Sequence, residues 1–148
     1  AVLVCSDFPQ CQGRWWPLMD GAQGFTLWRS LGLTAEGAHL SLEALTAIHY
    51  AHRLVAYAAL LALAALAWRL HRAALLPGVV RALAGLALWQ LLTGLSNVLL
   101  GWPLLGAVAH TGGAAGLVLA LTWALCVTGP RAGARVLFPQ PFATGPSA

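Results

Sequence analysis

Three long apolar runs, separated by short clusters of proline, glycine and charge, organise this chain. They cover roughly residues 42–70, 79–100 and 104–127, and each is long enough to cross bilayer hydrocarbon as a helix, which takes about 20 residues. Arg69, His71, Arg72, Pro77 and Arg81 make a short basic connection between the first two, whereas only Gly101-Trp102-Pro103 separates the second from the third. So tight a turn makes its two helices antiparallel neighbours. Residues 1–40 mix polar and aromatic positions and read as a loop. Residues 129–148, with Pro130, Pro139, Pro141 and Pro146, read as a disordered tail.

Composition then fixes the class. The chain is 59% hydrophobic and 8% charged, with a mean hydropathy of +0.76, which belongs to an integral membrane protein. Its net charge of +4 comes from eight arginines and no lysine. Scattered singly around apolar runs, they make no basic face for nucleic acid. Arg69, Arg72, Arg81, Arg131 and Arg135 fall on one side of the three spans with no acid among them, so that side is expected to be cytoplasmic. The four acids, Asp7, Asp20, Glu36 and Glu43, sit in the N-terminal segment. That segment is expected outside a bacterial cell membrane, in the periplasm of a Gram-negative source, with the C-terminus inside. Ala1 is not followed by a charged n-region or a signal-like apolar core, so at least one preceding helix is expected to export the loop.

The loop has chemistry of its own. Cys5-Ser-Asp-Phe-Pro-Gln-Cys11 on an oxidising face reads first as a disulfide; a redox-active thiol pair or part of a metal site stays open. Cys126 in the third span reads as a small packing residue. Trp15, Trp16, Trp28 and Trp102 suit the headgroup level. The i, i+3, i+6 spacing of Phe25, Trp28 and Leu31 predicts a short surface helix over 24–32.

Ionisable residues inside the spans are the functional candidates, because their burial in hydrocarbon is costly. His49-Tyr50-Ala51-His52-Arg53 lies in the first span and His110 in the third. At 1.5 Å per residue, His52 falls ~15 Å and His110 ~9 Å into two parallel helices. Two imidazoles at similar depth can supply the two axial nitrogens of a haem. Another metal, a proton path or plain polar contacts remain alternative readings. Arg53 needs an anionic partner that the spans do not provide, which favours an anionic ligand such as a haem propionate. His49 is open between an outer partner of the site, a proton relay and a metal pair with His52. Gly113 and Ala114 beside His110 suggest room for a flat macrocycle, while Gly112 and Gly116 equally suit a close helix contact. The chain holds no nucleotide-binding loop or nucleophile elbow.

Taken in order, Cys5-x5-Cys11 with Trp15-Trp16-Pro17, then Ile48-His49-Tyr50-Ala51-His52-Arg53, then Gln90-Leu-Leu-Thr-Gly94-Leu-Ser-Asn97, then His110-Thr-Gly-Gly113, resemble the C-terminal half of bacterial haem A synthase over residues 3–127. The resemblance implies an all-α integral membrane fold, with three transmembrane helices of an antiparallel four-helix bundle half preceded by a disulfide-bearing outer loop. It implies an oxidoreductase that converts the C8 methyl of haem O to the formyl of haem A for terminal oxidase biogenesis. By position His52 and His110 would ligate haem b, Arg53 would stand beside it, and Cys5 and Cys11 would pair near it. The catalytic half of that family carries Glu-x-x-His-Arg, whereas His49 stands here at the glutamate position, so the resemblance assigns this chain to the cofactor half and expects it to be inactive alone. Implied partners are membrane lipid, the other half of the same chain, an electron acceptor and haem O synthase. A b-type electron-transfer module and a structural membrane bundle are the competing readings.

Overall fold

The computed structural model describes residues 4–30 and 32–129. It is all-helical, with four helices in order: α1 (Gly21–Gly24), α2 (Leu42–Arg72), α3 (Pro77–Leu99) and α4 (Leu104–Thr128). Among the described residues the extended backbone amounts to two isolated bridges, Cys11 with Arg14 and Leu33 with His39. The three long helices are long and apolar enough to span a membrane, as the runs of the sequence require.

Local chemistry sets their ends. Ser41 caps α2 by accepting from the Ala44 N–H at 3.1 Å. Pro77 starts α3 at a position where its missing N–H costs nothing. Between α3 and α4 the chain reverses through Gly101 and Trp102, both at positive φ, and the Trp102 N–H donates to the Asn97 carbonyl at 2.9 Å. That turn brings α4 back antiparallel along α3.

α3 is the middle helix. It packs on α2 and on α4, while among the described residues no Cα of α2 comes within 8 Å of one of α4. The two outer helices are therefore held apart by α3. Ala67, Val79 and Leu83 are buried with Leu63, Leu70, Leu117 and Leu121 against them. Most remaining large apolar side chains, among them Leu61, Leu105, Leu119 and Leu125, face outward. An apolar surface of that extent is what lipid covers and water does not.

The N-terminal loop is tied down along one face of α2. Asp20 N–H donates to the Glu43 carbonyl, Gln12 Nε2 to Thr46 Oγ1, and Tyr50 hydroxyl to the Trp15 carbonyl. Cys5 and Cys11 form a disulfide and are wholly buried. Within their ring the Asp7 carboxylate accepts from the Gly13 N–H at 2.8 Å and the Gln12 N–H at 2.7 Å. The Gly13 bond, followed by that of Gln12, holds the Asp7 carboxyl below its ordinary value of 3.8.

The expected surface helix over 24–32 is not formed by the described part of that segment. Helix α1 ends at Gly24, and the Arg29 guanidinium then captures the carbonyls of Thr26, Gly24 and Leu33 at 2.9, 3.0 and 3.1 Å. Two of them, the Gly24 and Thr26 carbonyls, belong to the segment expected to be helical and here accept from that side chain. Trp28, 92% exposed, and Leu27, 87% exposed, still project together from the loop. Leu31 and the tail beyond Gly129 lie outside the described residues.

Candidate functional site

The gap between α2 and α4 leaves a half-open cavity of about 340 Å³, floored by α3. His52 and Arg53 face it from α2, Gln90, Gly94 and Asn97 from α3, His110 from α4 and Phe8 from the disulfide ring. His52 and His110 are brought together across it, with ring centroids 6.3 Å apart and planes at 73°. These two side chains thus bridge a gap that the backbones leave open.

Each ring is set by its helix and its neighbour. His110 lies against Gly94, where an added Cβ would stand 3.3 Å from its Cε1. Any larger residue at 94 would displace the ring. Its Nδ1 is 3.1 Å from Thr93 Oγ1. Gln90 Oε1 and Asn97 Oδ1 are buried without a hydrogen-bond partner among the described residues, so this wall of the cavity keeps unused accepting capacity.

His49 and Arg53 turn mainly to the disulfide ring. His49, 5% exposed, accepts at Nδ1 from the Val4 N–H at 3.2 Å and the Cys5 N–H at 3.1 Å. Backbone N–H groups only donate, so Nδ1 is bare and the ring proton is assigned to Nε2. Arg53 donates from Nη1 to the Gln10 carbonyl at 2.8 Å and from Nη2 to the Cys5 carbonyl at 2.9 Å. The partners that its buried charge demands are therefore backbone carbonyls in part, although the residue also borders the cavity.

The small residues of α4 do something other than make room. A Cβ on Gly113 would stand 2.5 Å from Trp89 Cδ1, and one on Gly116 would meet Leu86 Cδ2 at 3.1 Å. Both glycines are filled by α3, and Trp89 Nε1 donates to the Ala109 carbonyl at 2.9 Å. The space expected at Gly113 for a macrocycle is taken by that indole, whereas Gly112 faces nothing within 4 Å. Thr93 and Gly94 are site residues that the sequence flagged only inside a longer motif. A hydroxyl followed by a glycine within an apolar span was their signal.

Among the described residues no three His, Cys, Asp or Glu side chains converge to hold a metal ion. An imidazole pair is what the cavity offers. It suits a metal that brings its own equatorial ligands better than one needing a full protein shell.

Comparison with known proteins adds kinship to geometry. Residues 1–122 match the family described as cytochrome oxidase assembly protein. A Heme A synthase of Shewanella oneidensis is 36% identical over 121 residues, covering 82% of this chain and 37% of the relative. The chain thus spans little more than a third of that relative's length. No solved structure matches it.

Proposed function

The chain belongs to the cytochrome oxidase assembly protein family, and from that premise we propose that it forms the haem-carrying part of a haem A synthase, with His52 and His110 as axial ligands of a haem b. The carrying observation is the placement of those two rings across the cavity, centroids 6.3 Å apart. Two imidazoles sharing one metal, each with a metal–nitrogen bond of about 2 Å, put their ring centres roughly 6 Å apart. Haem bound there supplies a one-electron centre. The complete enzyme oxidises the C8 methyl of haem O to a formyl group.

The residues of this chain do the rest. α3 floors the cavity, and Gly94 lets the His110 ring approach it closely. Arg53 keeps a positive charge at the cavity edge, which favours the anionic propionate edge of the macrocycle on that side. Phe8, within the disulfide ring, borders the same cavity and adds an aromatic face to it. The loop and both cysteines face the periplasm in this reading, within the inner membrane of a bacterium, and the tail is cytoplasmic. The electrons pass to an acceptor, and haem O comes from its synthase.

The test is a reduced-minus-oxidised spectrum of the full reading frame, purified in detergent, beside His52→Ala and His110→Ala. A b-type signal that is lost or turns high-spin in both variants supports the reading. A signal untouched by either substitution sinks it and returns the histidines to structural contacts.

A further inference from the structure

We propose that Thr93 is a positioning residue that selects the tautomer of His110, placing the proton on Nδ1 and presenting a bare Nε2. Thr93 Oγ1 lies 2.7 Å from the Trp89 carbonyl and 3.1 Å from His110 Nδ1. A hydroxyl has one hydrogen. Two oxygens at 2.7 Å with no hydrogen between them repel, and the carbonyl has none to give, so the Thr93 hydrogen points at Trp89. Its lone pair is then what faces His110, and Nδ1 must be the donor. The reverse arrangement would leave the proton on Nε2 and abolish its use as a ligand atom.

The surroundings make the choice firm. Thr93 is 9% exposed and sits within α3, so its χ1 freedom is limited by the preceding turn. A Cβ at Gly94 would stand 3.3 Å from the Cε1 of the imidazole and 3.6 Å from its Nδ1, so the ring rests on α3 where Oγ1 can reach it. His49, whose Nδ1 accepts two backbone N–H bonds, holds the opposite tautomer. Two histidines bordering one cavity are thereby differentiated by their neighbours, one as a donor at Nε2 and the other as an acceptor.

The functional part of this inference rests on reading His110 as a haem ligand; the tautomer part does not. The experiment separates them. The full reading frame is produced with ring-15N histidine in cells denied haem synthesis, and the tautomer of His110, assigned by loss of its signals in His110→Ala, is read by NMR in the haem-free protein. Wild type and Thr93→Ser should show the Nδ1–H form, and Thr93→Val should shift the majority to Nε2–H while the His49 signals stay in place. A wild-type Nε2–H form, or a Thr93→Val protein that keeps Nδ1–H, overturns the proposal. Should Thr93→Val not fold, Thr93→Ala provides the same reading. In the haem-loaded protein, Thr93→Val should hold haem about 10- to 100-fold less tightly, the range for losing the partner of a ligating histidine, with Thr93→Ser close to wild type. Haem retained unchanged in His110→Ala would defeat the ligand reading and leave the tautomer result standing.

Discussion

Substituting His49 by alanine isolates what that residue does for the disulfide loop. The side chain accepts two N–H bonds at one nitrogen, from Val4 at 3.2 Å and from Cys5 at 3.1 Å. Cys5 is wholly buried, so its N–H cannot turn to water when the acceptor is removed, whereas the Val4 contact is only partly buried. Orphaning one buried donor costs about 2 kcal/mol, the middle of the usual range, and the second, wetter bond adds little. That energy falls on local opening of the ring, because the helix behind it loses no hydrogen bond of its own. At 1.4 kcal/mol per factor of ten, the opened form of the ring should rise roughly 30-fold. Amide hydrogen exchange over residues 4–13, followed by mass spectrometry in detergent, reads this directly. His49→Gln, which keeps an accepting oxygen on a side chain of similar reach, should recover most of the protection. Equal exchange in wild type and His49→Ala would refute the reasoning. So would equal deprotection by alanine and glutamine, since the effect would then belong to packing and not to the accepting atom.

Two further expectations follow from the same geometry. Gly113→Ala forces a Cβ to 2.5 Å from Trp89 Cδ1, and because an indole cannot fold away, the Trp89–Ala109 hydrogen bond should break at a cost of about 1–3 kcal/mol; Gly112→Ala, which meets nothing within 4 Å, should be neutral or up to about 1 kcal/mol stabilising, and thermal unfolding in detergent compares the two. Asp7 has a folded pKa lowered chiefly by the Gly13 N–H, so its contribution to the ring is complete above the unfolded value of 3.8 and disappears as pH falls through the lower folded value. Exchange of the Gln12 and Gly13 amides, corrected for intrinsic rate, should therefore speed up only in that acid window, and Asp7→Ala should abolish the step.

The spans were legible because length and apolarity are properties of a segment by itself. The approach of His52 to His110 was legible for a related reason: two parallel helices starting at the same end place residues of similar depth side by side. What stayed hidden depends on backbone atoms. Arg53 reads in the sequence as a cation lacking an anion, yet two of its donors go to the carbonyls of Gln10 and Cys5, and a carbonyl leaves no mark in a residue pattern. Where Phe25 and Trp28 predict a helix, the loop is likewise organised by Arg29, which bonds three carbonyls around it. Gly113 failed as a sign of open space because the group that fills it, Trp89, arrives from another helix 24 positions earlier in the chain.

The crowding of ionisable residues between His49 and Arg53 has a geometric reason. At 3.6 residues per turn, His49 and Arg53 lie about 40° apart on α2, and His52 lies about 60° from His49 on the opposite side. One stretch of helix therefore presents two faces. His49 and Arg53 grip the disulfide ring through its N–H groups and carbonyls, while His52 points across to His110. Because the grip and the pair share a helix turn, the ring that carries Phe8 is fixed in register with the histidines whose cavity it borders. A glutamate at position 49 could accept the same two N–H bonds, but it would add a negative charge one turn before Arg53, whose donors go in part to backbone carbonyls, whereas the neutral imidazole accepts without one.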